Sequence, residues 1–239
     1  MGACAFFRPA GWHQDNVVGT VKAPKFRYVR AESLDQALEL LDRYAEDARI
    51  LAGGQSLMPT LNMRLSHPEI LIDINRLEAF KRISEKDGQV QFGALVRHTE
   101  VLSSPIVARD LPLIAEAMPH VAHVAVRNRG TFGGSIALAD PAAELPACVV
   151  ALGATIVMQS VDGRREIPAN DYFKGLYETQ RRANELLVEI RIPVEKPGTV
   201  SVFMELSRRH GDFAIAGLAC HARFEGDVVA EARLVYFAS

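Results

Sequence analysis

Residues 48–74 read ARILAGGQSLMPTLNMRLSHPEILIDI, and the parsing of the chain turns on this stretch. Ala48 to Ala52 (ARILA) is a mostly apolar stretch of strand length that ends directly on Gly53-Gly54-Gln55-Ser56. Ile70 to Ile74 (ILIDI), apolar apart from Asp73, is a second strand. Paired glycines at a strand end let the backbone take positive φ and turn its N–H groups outward. With no Cβ in the way, such N–H groups can approach an anion closely. Upstream, Phe26 to Val29 predicts a short strand and Ser33 a helix N-cap. The segment LDQALELLDRYA sets Leu34, Ala37, Leu38 and Leu41 on one face. With Gln89 to Gly93 as a third strand, these elements predict a small α/β unit ending near residue 80.

Working outward, a second glycine pair lies in Thr131-Phe132-Gly133-Gly134-Ser135, ahead of an expected helix and behind Arg127-Asn128-Arg129-Gly130. Two such loops facing each other would clamp a pyrophosphate without lysine or arginine. Neither pair has the G-x-G-x-x-G or G-x-x-x-x-G-K spacing, so a Rossmann or P-loop site is not supported. A lone glycine pair is commonly just a turn, so a phosphate role and a plain turn stand level here. Helices are expected at Thr99 to Leu102, Leu111 to Met118, from Val121, and at Ala143 to Leu152. A hairpin is expected around Asp162-Gly163, a strand at Val188 to Ile192, and a linker at Pro193 to Gly198. The last stretch, from Val200, carries two or three strands. So short a remainder does not readily close a sheet of its own, so it is read as a third domain cut short or completed by something else.

Composition excludes several classes. Of 239 residues, 49% are hydrophobic and the net charge is -2, without a basic stripe, which argues against nucleic acid. Cys4, Cys148 and Cys220 lie far apart, so neither a local zinc or iron–sulfur loop nor a disulfide framework is expected, and a cytoplasmic setting fits. No apolar run reaches the roughly 20 residues of a membrane span. Met1 to Thr20 lacks periodicity and a signal-peptide core. It is read as a disordered or mis-annotated start with Val21 as initiator, or as an extension that docks on a partner.

The longer motifs resemble a known family. A-G-G-Q-S-L-M-P-T-L-N-M-R-L (52–65) with H-P-E-I-L-I-D-I (67–74), H-V-A-V-R-N-R-G-T-F-G-G-S-I-A-L-A-D-P-A-A-E-L-P-A (123–147), and F-M-E-L-S-R-R-H-G-D-F-A-I-A-G (203–217) resemble the FAD-binding subunits of molybdenum hydroxylases. These include the medium subunits of carbon monoxide dehydrogenase-type enzymes and the flavin domain of xanthine dehydrogenase. The resemblance implies an α+β, two-subdomain FAD-binding fold of the vanillyl-alcohol-oxidase/PCMH type, followed by a partial α/β C-terminal domain. The boundaries would be 1–21 extension, 22–82 and 83–195 as the FAD-binding subdomains, and 199–239 as the tail.

Carried over by position, Leu51, Ala52, Gly53, Gly54, Gln55, Ser56 and Leu57 would form one cofactor loop. Thr131, Phe132, Gly133, Gly134 and Ser135 would form the other, with Leu138 touching the cofactor through its backbone. Glu144 would hydrogen-bond the ribityl chain, or simply sit in the first turn of its helix. Asp140 would be a polar contact or an N-cap. Phe203 would lie on the isoalloxazine or pack in the core. Arg127 and Arg129 would bind phosphate or, for at least one, pair with carboxylates to hold the loop. His120 and His123 read as structural, and Arg208, Arg209 and Asp212 as structural or interfacial. Valine at Gly54 or Gly133 is expected to abolish FAD retention while the fold survives.

The family implies electron transfer, with no catalytic or metal-ligating residue in this chain. Electrons would come from [2Fe–2S] clusters of a small subunit, after substrate oxidation on a large molybdenum-cofactor subunit, and leave to an external acceptor. Two alternatives remain: a stand-alone FAD-dependent oxidoreductase of the same fold, and a scaffold that binds no flavin.

Overall fold

In a computed structural model of the protein, residues 22–238 are described; the expectations for the first 21 residues lie outside them. Strands β1 (Arg27–Arg30), β2 (Ala48–Leu51) and β3 (Ile70–Asp73) form a parallel sheet ordered β1-β3-β2. Parallel pairing needs crossovers, and α1 (Leu34–Tyr44) and α2 (Leu57–Asn62) lie on them. The Ser33 hydroxyl caps α1, accepting from Gln36 N at 3.2 Å, and Ala37, Leu38 and Leu41 are buried as their spacing predicts. All four residues of the central strand β3 are buried, because both its edges are paired and both faces covered.

Next come β4 (Ile83–Lys86), β5 (Gln89–Gly93) and a run of short helices: α3 (His98–Leu102), α4 (Pro105–Asp110), α5 (Pro112–Ala117), α6 (Val124–Arg127), α7 (Phe132–Leu138) and α8 (Glu144–Ala151). Then follow β6 (Thr155–Ser160), β7 (Gly163–Pro168), α9 (Ala169–Tyr172), the small pair β8 (Phe173–Gly175) and β9 (Glu178–Thr179), and β10 (Leu186–Pro193). An antiparallel sheet ordered β4-β5-β10-β6-β7 results. Gln89 to Gly93 therefore belongs to this second sheet and not with β1 to β3. Ser160 pairs with Gly163, so the hairpin turns at Val161-Asp162, one residue earlier than Asp162-Gly163. The helices cover this sheet over one large apolar core, in which the Phe92 and Phe132 rings stack at 4.6 Å.

The tail forms an antiparallel meander of β11 (Thr199–Ser207), β12 (Ala214–Glu225) and β13 (Val228–Phe237). Among the described residues it contains no helix, so it shows the strands of the expected α/β tail without helices. Its inner face sends Phe203, Ala219 and Phe237 into the large core. Its outer face leaves Met204, Leu206, Leu234 and Tyr236 exposed.

Candidate cofactor site

The first glycine pair sits where β2 stops. Gly54 has φ +73, a left-handed conformation that costs an L-residue about 1–2 kcal/mol. The chain then turns into α2, with Met58 N donating to Gly54 O at 3.1 Å and Thr60 N to Ser56 O at 3.1 Å. The N–H groups of Gly53, Gly54, Gln55 and Ser56 donate to no acceptor among the described residues. Of these residues, Gly53, Gly54 and Gln55 line a groove of about 310 Å³, together with Leu51, Met58, Asn75 and Arg129, among others.

Side chains outside the predicted loops brace this groove. Asn75 Nδ2 donates to Ala52 O at 2.9 Å and to Leu51 O at 3.3 Å, which pins the end of β2. Asp73 Oδ1 accepts from Asn75 N at 2.8 Å, and its Oδ2 accepts from the Tyr28 hydroxyl and lies 3.5 Å from Arg30 Nε. Burial pushes the Asp73 carboxyl up, but Tyr28, Asn75 and Arg30 outweigh it and hold it below the usual range. Arg97 donates to Asn75 Oδ1 at 2.7 Å and to the Arg129 carbonyl. Burial, with the neighbouring Arg129 guanidinium, lowers the pKa of Arg97. Behind it, His98 N donates to Gly130 O at 3.1 Å. The His98 ring is buried with neither nitrogen bonded. Burial lowers it to about 4, so it is neutral.

The first glycine loop meets, through backbone contact, the Arg129-Gly130 segment that precedes the second, and no residue of Thr131 to Ser135 lines the groove. A Cβ on Gly53 would lie 2.5 Å from Arg129 O and 2.9 Å from Gly130 Cα, so only glycine lets the segments close up. The second pair differs from expectation. Gly133 and Gly134 lie within the first turn of α7, without positive φ. Their N–H groups are already used, Gly133 N on Ala94 O at 3.1 Å and Gly134 N on the Thr131 hydroxyl at 3.1 Å. Phe132 N and Ser135 N are engaged as well, on Val96 O and Thr131 O. Gly133 is required for packing, since its Cβ would lie 2.6 Å from Ala94 Cα.

The structure distributes the remaining predicted residues. Ala52 and Gln55 line the groove, whereas Ser56 and Leu57 open α2 at its edge. Phe132 is wholly buried, and Leu138 ends α7, where Ala139 takes φ 54. Asp140 is not the cap of α8, which is Ala143; its Oδ1 instead accepts from Ala142 N at 2.9 Å, just ahead of the helix. Glu144 begins α8 and is 7% exposed. Burial, with the Glu205 and Asp140 carboxylates nearby, pushes it up to about 7. Glu205, on β11, has a buried side chain with no hydrogen bond, and one oxygen lies 3.9 Å from His120 Nδ1. Phe203 packs between His120 and Phe237 in the core. Arg208, Arg209 and Asp212 border a separate hollow. Arg127 holds the loop through the carbonyls of Val121 at 2.9 Å and Ala122 at 2.5 Å, rather than through carboxylates. Arg129 makes no side-chain hydrogen bond or ion pair among the described residues and lines the groove.

Free amides, a left-handed glycine and an unspent guanidinium around one groove are the chemistry of an anion site. The family described as the FAD binding domain in molybdopterin dehydrogenase matches residues 24–195. The chain belongs to that family. Its cofactor is FAD, and the residues present fit the cofactor's phosphates. The chain is 44% identical over 199 residues to the 6-hydroxypseudooxynicotine dehydrogenase complex subunit alpha of Paenarthrobacter nicotinovorans, covering 83% of this chain and 67% of that one. It is 42% identical over 211 residues to the carbon monoxide dehydrogenase medium chain of Hydrogenophaga pseudoflava, covering 88% and 74%. A solved structure of carbon monoxide dehydrogenase from Hydrogenophaga pseudoflava superposes with a TM-score of 0.87 at 41% identity, covering 90% of this chain and 75% of that one. Like these relatives, this flavin-domain family member is an oxidoreductase subunit. Among the described residues there is no acid or histidine group that could hold a metal and no helix long and apolar enough to cross a membrane.

Asp73, Asn75 and Arg97 were not identified from the sequence. Asp73 and Asn75 carried a usable signal, polar residues closing a buried strand beside a glycine turn. Arg97 carried none, since its partners are distant in sequence.

Proposed function

We propose that the chain binds FAD with its diphosphate against Gly53 to Ser56 and serves as the flavin subunit of a molybdenum hydroxylase complex. Electrons would arrive from [2Fe–2S] clusters on a small subunit and leave to an external acceptor, while a large molybdenum-cofactor subunit oxidises the substrate. The observation that carries this is the run of unbonded amides from Gly53 to Ser56, three of whose residues line a groove, in a chain of this family. When bound, the isoalloxazine supplies one- and two-electron chemistry. This chain's residues would bind and orient it: the first-loop amides and Arg129 would take the phosphates, Arg129-Gly130 backs Gly53, and Thr131 to Ser135 are proposed as the second cofactor segment. Glu144, and Leu138 through its backbone, are proposed along the ribityl side. The separate parallel and antiparallel sheets support a division into subdomains 22–82 and 83–195 of the vanillyl-alcohol-oxidase/PCMH type. The exposed apolar face of the meander supports reading 199–239 as part of a larger C-terminal domain. A cytoplasmic location fits the family's enzymes.

The test is rapid mixing of the FAD-loaded chain, assembled with its small and large subunits, under substrate. Flavin absorbance should bleach after the iron–sulfur signal changes. Bleaching that proceeds unchanged without the small subunit contradicts the electron route.

A further inference from the structure

Three arginines surround the junction of the two glycine segments, and two are committed. Arg97 spends its guanidinium on Asn75 Oδ1 and the Arg129 carbonyl. Arg127 spends its own on the carbonyls of Val121 and Ala122. Only the Arg129 side chain is left without a partner among the described residues, and it borders the same groove as Gly53 and Gly54. Its backbone is fixed: Arg129 N donates to Val126 O at 3.1 Å, and its carbonyl is held by Arg97 and packed on Gly53. The root of the side chain is thus anchored beside the free amides, while the guanidinium is at liberty to turn toward a ligand.

Electrostatics calls for such a group. The amides of Gly53 to Ser56 supply partial charges only. Those of Phe132 to Ser135 are taken by acceptors of the fold. The other charge bordering the groove, Asp73, is negative and is balanced by Arg30 at 3.5 Å. A diphosphate placed here would meet the amides of Gly53, Gly54 and Gln55 and, among the residues lining the groove, no positive charge except Arg129. A guanidinium presents a planar fork that matches phosphate oxygens in pairs.

We propose that Arg129 is the counter-charge for the cofactor's diphosphate and that it sets the preference for a flavin carrying that diphosphate over one without it. This rests on the reading of the groove as an FAD site and adds to it a residue and a source of specificity. Arg127, with the same charge two residues earlier, has no such part.

The experiment uses the full chain stripped of flavin. FAD, ADP and riboflavin are titrated calorimetrically into wild type, Arg129→Gln and Arg129→Lys at low and high salt. Loss of one charge-assisted contact predicts roughly a ten- to hundredfold weaker affinity for FAD and ADP in the glutamine variant. The salt dependence should be shallower, riboflavin affinity unchanged, and affinity partly recovered with lysine. The apo chain of both variants should melt like wild type, because the side chain holds nothing in the fold. Unchanged FAD and ADP affinity in Arg129→Gln overturns the inference, and so does an equal loss for riboflavin. Wild type that binds FAD but not ADP overturns it while leaving the FAD reading intact. Wild type that binds none of the three overturns both.

Discussion

Replacing Glu144 with glutamine should stabilise the flavin-free chain at high pH and leave it unchanged at low pH. Glu144 is 7% exposed at the start of α8, and its carboxyl is raised by burial from the usual 4.5 to about 7. Raised means that the folded chain holds the proton more tightly than the unfolded chain. Below pH 4.5 both states are protonated and no cost arises. As pH climbs from 4.5 to about 7 the unfolded chain gives up its proton first, so stability falls and then levels off. The full difference corresponds to about 3 kcal/mol at pH 8, and a neutral glutamine of the same shape removes it. His98 works in the opposite sense. Burial lowers it from 6.5 to about 4, so the stability it contributes is complete above 6.5 and is lost as pH falls toward 4. In wild type the two slopes offset one another in the window they share. In Glu144→Gln the falling slope of Glu144 is removed, so stability should change more positively with pH across that window than in wild type. Urea unfolding followed by circular dichroism at pH 4.5 and pH 8 measures this directly. A stability difference between variant and wild type that is the same at both pH values refutes the reasoning.

Other substitutions separate packing from binding. Gly54→Ala places a Cβ at φ +73, with Leu51 Cδ1 and Met58 Cγ at 3.2 and 3.3 Å. The expected cost is about 1–2 kcal/mol with the fold retained, together with weakened FAD binding; thermal melting and flavin titration check both. Gly133→Ala drives a Cβ into the Ala94 backbone at 2.6 Å, where overpacking costs about 1–3 kcal/mol or more. For Gly133→Val, whose apo fold the sequence reading expects to survive, the same overlap predicts a destabilised fold. Equal melting temperatures for wild type and Gly133→Ala would contradict the packing. Asn75→Ala releases the carbonyls of Leu51 and Ala52 and one Arg97 contact. It should lower FAD affinity by about five- to thirtyfold, seen in the same titration.

The first parallel sheet was legible because its signals are local. Ser33 caps its helix, Ala37, Leu38 and Leu41 turn inward, and ILID fills a strand buried on both faces. Short elements were missed. Helix α2 spans six residues and includes Pro59, and β4 is an edge strand whose residues are mostly exposed. The hairpin slipped by one residue because Gly163 extends the strand at φ +129 instead of turning it. At the site, the first glycine pair disclosed itself, since a strand running into Gly-Gly needs the positive φ found at Gly54. The second pair carries a packing requirement that the sequence does not show. Gly133 is dictated by Ala94 across the core, a contact that nothing near Gly133 announces. Arg127 and Arg129 look alike in sequence, and only the carbonyls of Val121 and Ala122 distinguish them.

The central claim is that the free amides of Gly53 to Ser56 hold FAD through its diphosphate. Titrating FAD into the stripped full chain, with ADP as competitor, tests it most directly. The account predicts one FAD per chain, displaced by ADP and not by adenosine, with weaker binding in Gly54→Ala. FAD binding that ADP fails to displace, and that Gly54→Ala leaves unchanged, would contradict it.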